Sequence, residues 1–363
     1  MSYNILPKNN NELIIEPIIS SFNYTIFKSI SYFNLYSKKM NELTNYTNNI
    51  EAEQMYTLKN IIHNYNFVYN IIPEYKSSIS KIKTKSSIFF DLIEIINNLN
   101  LIDTIKKSIN FLHISEQHTD TVKATNYYND EQENSVKQNF IFQDFDSIII
   151  PDNLLIDLSF IEIKSTNTDI LNPREYVVQL LKSLNVIIKQ LKIGSTCIFK
   201  TEYLFYKPII DFLFIISCMF EKIYVTKPTT SNVLSFEKYI ICKNLTNKAI
   251  DISFYKEDFI KKMQDENNNI ISFIDEDIPY YFINKLTEID VMLGQYQLES
   301  IQEIINIINS KNKNDKIENL KKNNIQKGIM WCNKYKIPYN IFLEKKNAFL
   351  CNDDDNDNKQ MSC

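Results

Sequence analysis

The stretch 194–243, GSTCIFKTEYLFYKPIIDFLFIISCMFEKIYVTKPTTSNVLSFEKYIICK, constrains the fold more than any other part of this chain. An apolar strand, TCIFK, ends in Lys200; a largely apolar helix follows over 207–220, then a strand KIYVT and a strand KYIIC that begins directly after Glu237. A strand, a helix and a second strand require a crossover, hence a parallel sheet with helices over both faces. The short link into the last strand fits an antiparallel insertion. Lys200 and Glu237 share a role only if that fold brings them together.

With 363 residues, the chain can form one large domain or a core with appended helical pieces. Hydrophobic residues at 44% and aromatic residues at 13% argue against disorder, and a formal charge of −4 excludes a globally basic nucleic-acid coat. Any RNA site must be local. The chain has three glycines and a single arginine, Arg174, so backbone turns that need glycine are scarce and lysine replaces the guanidinium fork that grips phosphate.

Six cysteines, Cys197, Cys218, Cys242, Cys332, Cys351 and Cys363, lie far apart without a CxxC pair, so neither a zinc ribbon nor a disulfide framework is expected, and no metal site. The longest apolar run, 209–220, is broken by Asp211 and is too short for a hydrocarbon core of about 30 Å. No signal peptide opens the chain. A non-membrane, intracellular protein follows as the expectation.

The expected organisation is a helical region over 1–80, an α/β core over 81–245, a helical region over 246–350 and an acidic disordered tail over 351–363. Apolar residues recur at helical spacing over 11–75, and a helix SSIFFDLIEIINN over 86–98 precedes the first clear strand, INFLHI, at 109–114. Polar residues over 115–138 read as a loop. A strand around 140–142 and a strand NLLID ending at Asp157 come next. They lead into a long amphipathic helix over 173–192, opened by Pro173 and closed by Gly194 as a left-handed cap. His113 alternates with apolar neighbours and reads as a satisfied interior histidine.

The order of these pieces resembles the FtsJ-like ribose 2′-O-methyltransferases, whose fifth strand ends in a catalytic lysine. In that family a segment of lysine, proline, threonine, serine and glutamate leads into the last strand, as KPTTSNVLSFEKYIICK does here. The resemblance covers under half the chain and is nearest in style to the cap-directed members of large cytoplasmic DNA viruses. It implies a Rossmann-like methyltransferase sheet with helical N- and C-terminal extensions, S-adenosylmethionine as the donor if the protein is active, and capped mRNA or a capping or transcription protein as partner. The host cytoplasm, or a virion, is the implied location.

The family's tetrad of lysine, aspartate, lysine and glutamate maps onto Asp91 at the first position, Asp157 at the second, Lys200 at the third and Glu237 at the fourth. Lys85 is the nearest lysine able to stand in for the first. The donor-binding segment, glutamate, small residue, proline and two glycines, maps onto FLHISEQHTDT: Glu116 matches, while Thr119 and Asp120 stand in place of the glycines. A carboxylate about 4 Å from the donor's own carboxylate costs about 4 kcal/mol at an effective dielectric near 20, roughly a thousandfold in affinity. The resemblance therefore implies a methyltransferase fold that has lost the reaction and acts as an RNA-binding or partner subunit. An active cap 2′-O-methyltransferase and a structural virion or scaffold protein are the two alternatives.

Overall fold

The computed structural model describes residues 3–10, 13–21, 24, 33–47, 50–102, 108–115, 118–131, 137–145, 154–164, 173–246, 251–252 and 268–346. Glu116 and the acidic tail lie outside them. Two compact units emerge, the first comprising Met1–Tyr36, Ile95–Pro228 and Ser235–Tyr296 and the second Ser37–Glu94, Thr229–Leu234 and Gln297–Cys363.

In chain order the described elements begin with strands β1 (Asn4–Leu6), β2 (Ile14–Ile15) and β3 (Ile18–Ser20), then helices α1 (Phe33–Thr47), α2 (Ala52–Ile62) and α3 (Ile88–Leu99). The core follows as β4 (Ser108–Ile114), α4 (His118–Glu131), β5 (Lys137–Gln143), β6 (Ile156–Glu162), α5 (Arg174–Gln190), β7 (Leu191–Thr201), α6 (Lys207–Met219), β8 (Phe220–Thr226) and β9 (Lys238–Leu245). Strands β10 (Asp251–Ile252) and β11 (Asn269–Ser272) and helices α7 (Tyr280–Ile308), α8 (Lys313–Lys334) and α9 (Ile341–Lys346) complete the set.

The first unit is built on a seven-stranded sheet ordered β1-β8-β9-β7-β6-β4-β5. The ladders β5/β4, β4/β6 and β6/β7 are parallel, whereas β9 runs antiparallel to both β7 and β8. Five strands therefore point one way, and β9 is the antiparallel insertion expected from its short link to β8. With its helical extensions this mixed α/β arrangement is consistent with a Rossmann-like methyltransferase fold. Helix α6 is buried from Pro208 to Met219. Its one acid, Asp211, is held by Lys207, by Ser272 Oγ at 2.5 Å and by the Phe273 amide at 2.9 Å. Burial raises the Asp211 pKa, and these donors offset part of the cost. No described helix is long and apolar enough to cross a membrane.

Three local expectations differ from what the chain does. Helical spacing from residue 11 gives way to the short strands β2 and β3, and helix starts at α1; β2 pairs with β10 and β3 with β11, partners far away in sequence that periodicity cannot anticipate. The polar run 115–138 holds helix α4, whose buried stripe is Asp120, Thr121, Ala124, Thr125 and Tyr128. That is helical spacing carried by small and polar side chains, which hydropathy does not register.

Gly194 does not cap α5. The helix ends with Leu191 in extended geometry, and Gly194, at φ 84°, lies inside β7 where the register against β6 jumps from Ile156↔Leu191 to Leu158↔Thr196. Positive φ at a strand irregularity is a place for glycine.

In the second unit, Gly328 of α8 faces Val68 and Ile79, and a Cβ there would fall inside van der Waals contact of Ile79 Cδ1. Overpacking costs about 1–3 kcal/mol, against about 1 kcal/mol gained by placing alanine in a helix. Gly328→Ala is therefore expected to lower stability by about 1 kcal/mol, read as a lower urea midpoint.

Candidate functional site

In open α/β sheets ligands gather outside the carboxyl ends of the strands, where the order reverses. Here β4 is flanked by β5 on one side and β6 on the other, so that point lies between Ser115, just past β4, and Glu162, the last residue of β6. The ladder puts Glu162 level with Lys200 of β7. Ser115 Oγ donates to Glu162 Oε2 at 2.7 Å, Lys200 Nζ reaches Glu162 Oε1 at 3.1 Å, and Lys164 Nζ approaches the same oxygen at 3.5 Å.

From the antiparallel side, Glu237 precedes β9 and its Oε1 lies 2.8 Å from Lys200 Nζ. Ser235 Oγ donates to Glu237 Oε2 at 3.4 Å, and Lys227 Nζ donates to the Ser235 carbonyl at 2.5 Å. Lys200 is thus a nearly buried ammonium clasped by two carboxylates from separate elements. Burial raises the Glu237 pKa more than any single neighbour lowers it, but the Lys200 charge and hydrogen bond, the Lys227 charge and the Ser235 hydroxyl together outweigh it and hold the carboxyl below its usual range. Glu202, two residues past Lys200, goes the other way: burial first and then the Glu237 charge raise its pKa.

The two residues expected to meet, Lys200 and Glu237, do so. Asp157 does not join them. It stands second in β6 rather than at its end, accepts the Asn110 amide at 3.1 Å and lies 3.6 Å from Lys192 Nζ, both at the amino ends of their strands. Five residue-to-residue rises along the strand, about 17 Å, separate it from Glu162. The legible signal was the apolar continuation FIEI beyond Asp157, which requires the strand to run on and moves its terminal carboxylate to Glu162. Asp144 is exposed directly after β5, near the place where a carboxylate binds ribose hydroxyls in dinucleotide folds.

Asp91 lies in the second unit. It is fully buried and accepts from Thr230 Oγ1 at 2.6 Å and Ser87 Oγ at 3.0 Å. One turn on, Glu94 accepts from Thr229 Oγ1 at 2.6 Å and from Trp331 Nε1 at 3.1 Å. Both carboxylates hold the loop 229–234, and Lys85 is exposed. Thr119 and Asp120 occupy the first turn of α4, Thr119 exposed and Asp120 fully buried. Glu116 lies outside the described residues.

His113 is interior, as expected, but it is not satisfied. Its ring sits 4.0 Å from Phe111 and 5.4 Å from Phe142, and among the described residues neither ring nitrogen has a hydrogen-bond partner. Burial lowers its pKa to about 3, so the imidazole is neutral. Among the described residues no three His, Cys, Asp or Glu side chains form a group able to hold a metal ion.

No curated protein matches the chain by sequence. Among solved structures, a chain from Plasmodium falciparum provisionally described as a ribosomal RNA methyltransferase is similar at a TM-score of 0.34 and 16% identity, covering 45% of this chain and 100% of that one. Residues 102–245, from just past α3 to the end of β9, match the family model described as FtsJ-like methyltransferase.

Proposed function

We propose that this protein is a methyltransferase-fold RNA-binding or capping-partner subunit that has given up methyl transfer. An FtsJ-like domain suggests RNA as the class of ligand and S-adenosylmethionine as the ancestral donor. The observation that carries the reading is the first turn of α4. The chain has no glycine between β4 and Gly194, so the turn that would let a donor approach the backbone carries side chains. Asp120, buried in that turn, puts its own charge at the helix end where an anionic ligand group is otherwise favoured. These residues do not fit the donor. Asp91, at the first tetrad position, is buried and bonded to Thr230, which further supports the loss.

Capped RNA is favoured as the ligand by rings beside the carboxylates. Phe236 lies 4.7 Å from Tyr36 and 5.8 Å from Tyr203, with Glu202 and Glu237 as chain neighbours. Aromatic faces with nearby negative charge attract a cationic, N-methylated base. Phe236→Ala is expected to weaken binding of a capped oligonucleotide about tenfold while leaving its uncapped counterpart nearly unchanged, as read by fluorescence anisotropy.

An active cap 2′-O-methyltransferase is the second reading, favoured by the clasp itself. An ammonium fixed between Glu162 and Glu237 at the carboxyl edge suits stabilisation of a developing alkoxide, with Glu162 rather than Asp157 as its partner. Calorimetric titration with S-adenosylmethionine separates the two readings. We expect no heat of binding at millimolar donor, and micromolar binding would sink the proposal. A salt series on RNA binding tests the scaffold alternative, because phosphate contacts weaken steeply with salt and a scaffold would show no RNA affinity even at low salt.

A further inference from the structure

In the antiparallel ladder between β7 and β9, Cys197 stands directly opposite Cys242. Both are free thiols and both are completely buried in the sheet. Directly opposed side chains in such a ladder have Cβ atoms about 4.5–5.5 Å apart, and a disulfide needs roughly 3.5–4.5 Å. The remaining ångström is within reach of a local increase in twist.

We propose that Cys197 and Cys242 form a redox-sensitive pair that closes to a cross-strand disulfide and stiffens the junction beneath the Lys200 clasp. The pair is placed to act on that site: Lys200 is three residues further along β7, and Glu237 is five residues before Cys242. The oxidant is a low-molecular-weight disulfide such as oxidised glutathione. One cysteine thiolate attacks it, forming a mixed disulfide and releasing one glutathione thiol. The second cysteine thiolate then attacks the protein sulfur, forming the Cys197–Cys242 bond and releasing a second glutathione. Two S–H bonds are lost, one protein S–S bond is gained, and the two electrons and two protons end on the two glutathione molecules.

The dry sheet sets the rate. Burial raises the Cys197 thiol to about 12 and raises Cys242 as well, so neither ionises while the ladder is closed. Exchange must therefore pass through local opening of β7 from β9, and the reclosed disulfide is shielded from reductant by the same burial.

The test uses the full chain under native conditions, held with oxidised or with reduced glutathione, then alkylated, digested without reductant and analysed by mass spectrometry. The expected result is a linked peptide joining Cys197 and Cys242, a loss of about 2 Da from the intact protein, and a melting temperature higher by about 5–10 °C. Cys242→Ser should abolish the linked peptide. If that variant fails to fold, the wild-type digest still decides. The inference is overturned if both thiols remain free, if Cys197 or Cys242 links only to glutathione or to another cysteine, or if linkage appears only in unfolded protein.

Discussion

Lys200→Met is expected to cost about 3 kcal/mol of folding stability, seen as a lower denaturation midpoint with an unchanged denaturant slope. Replacing the ammonium with a chain of similar length keeps the packing and strands Glu162, whose side chain is 2% exposed. Breaking a buried pair by deleting one partner typically costs about 3–5 kcal/mol, because the surviving charge has been stripped of water. The lower end applies because Ser115 still donates to Glu162 and Lys164 still lies 3.5 Å away. Glu162→Gln in the same background should recover most of the loss, since it removes the stranded charge and retains an amide that can bond to Ser115. No recovery would mean that Lys200 acts on stability by some other route. A lysine at the end of an apolar strand is ordinarily solvated, and its removal leaves folding almost untouched; the clasp sets Lys200 apart.

Acid should destabilise the wild type through His113. The folded pKa of about 3 lies below the ordinary histidine value near 6.5, so between those values the unfolded chain binds a proton that the folded chain refuses. Stability is therefore fully present above about pH 6.5 and drains away as pH falls toward 3, by as much as about 5 kcal/mol from this one group. His113→Phe removes the titrating ring and its two orphaned nitrogens, whose burial costs about 1–3 kcal/mol. Its midpoint should match or exceed the wild type at pH 7 and lead by a widening margin at pH 4. Parallel pH profiles for the two proteins would show that His113 finds a partner in solution.

Much of the architecture is legible in residues because its signals are local. Lys200 closing an apolar strand, the apolar stretch that becomes α6, and the KPTTSNVL link into β9 all lie within a few dozen consecutive residues, and each survives in the structure. Helix α4 escaped notice because its buried face is made of threonine, alanine, tyrosine and aspartate, which fit a helix packed against a sheet yet score as polar. Gly194 looked like a cap because a glycine after a long helix usually is one; here the positive φ serves a register shift against β6, a fact about a neighbouring strand.

The site was half legible for the same reason. Glu237 and Lys200 could be matched by order along the chain, whereas choosing between Asp157 and Glu162 required knowing where β6 stops, and strand ends are set by the ladders on either side. Asp91 could be placed on its helix by spacing, but nothing local says that Thr230, so distant in sequence, donates to it.

By itself the sequence determined the core strands β4, β7, β8 and β9, the helices α5 and α6, the antiparallel direction of β9 and the lack of glycine between β4 and Gly194, since each is written in the period or identity of adjacent residues. Only the tertiary structure decided that Glu162 and Glu237 share Lys200, that His113 lies among aromatic rings with no hydrogen-bond partner among the described residues, and that two cysteines face each other across β7 and β9. Those facts depend on register and burial, which arise when segments far apart in the chain pair, and no local pattern encodes the alignment of one strand against another.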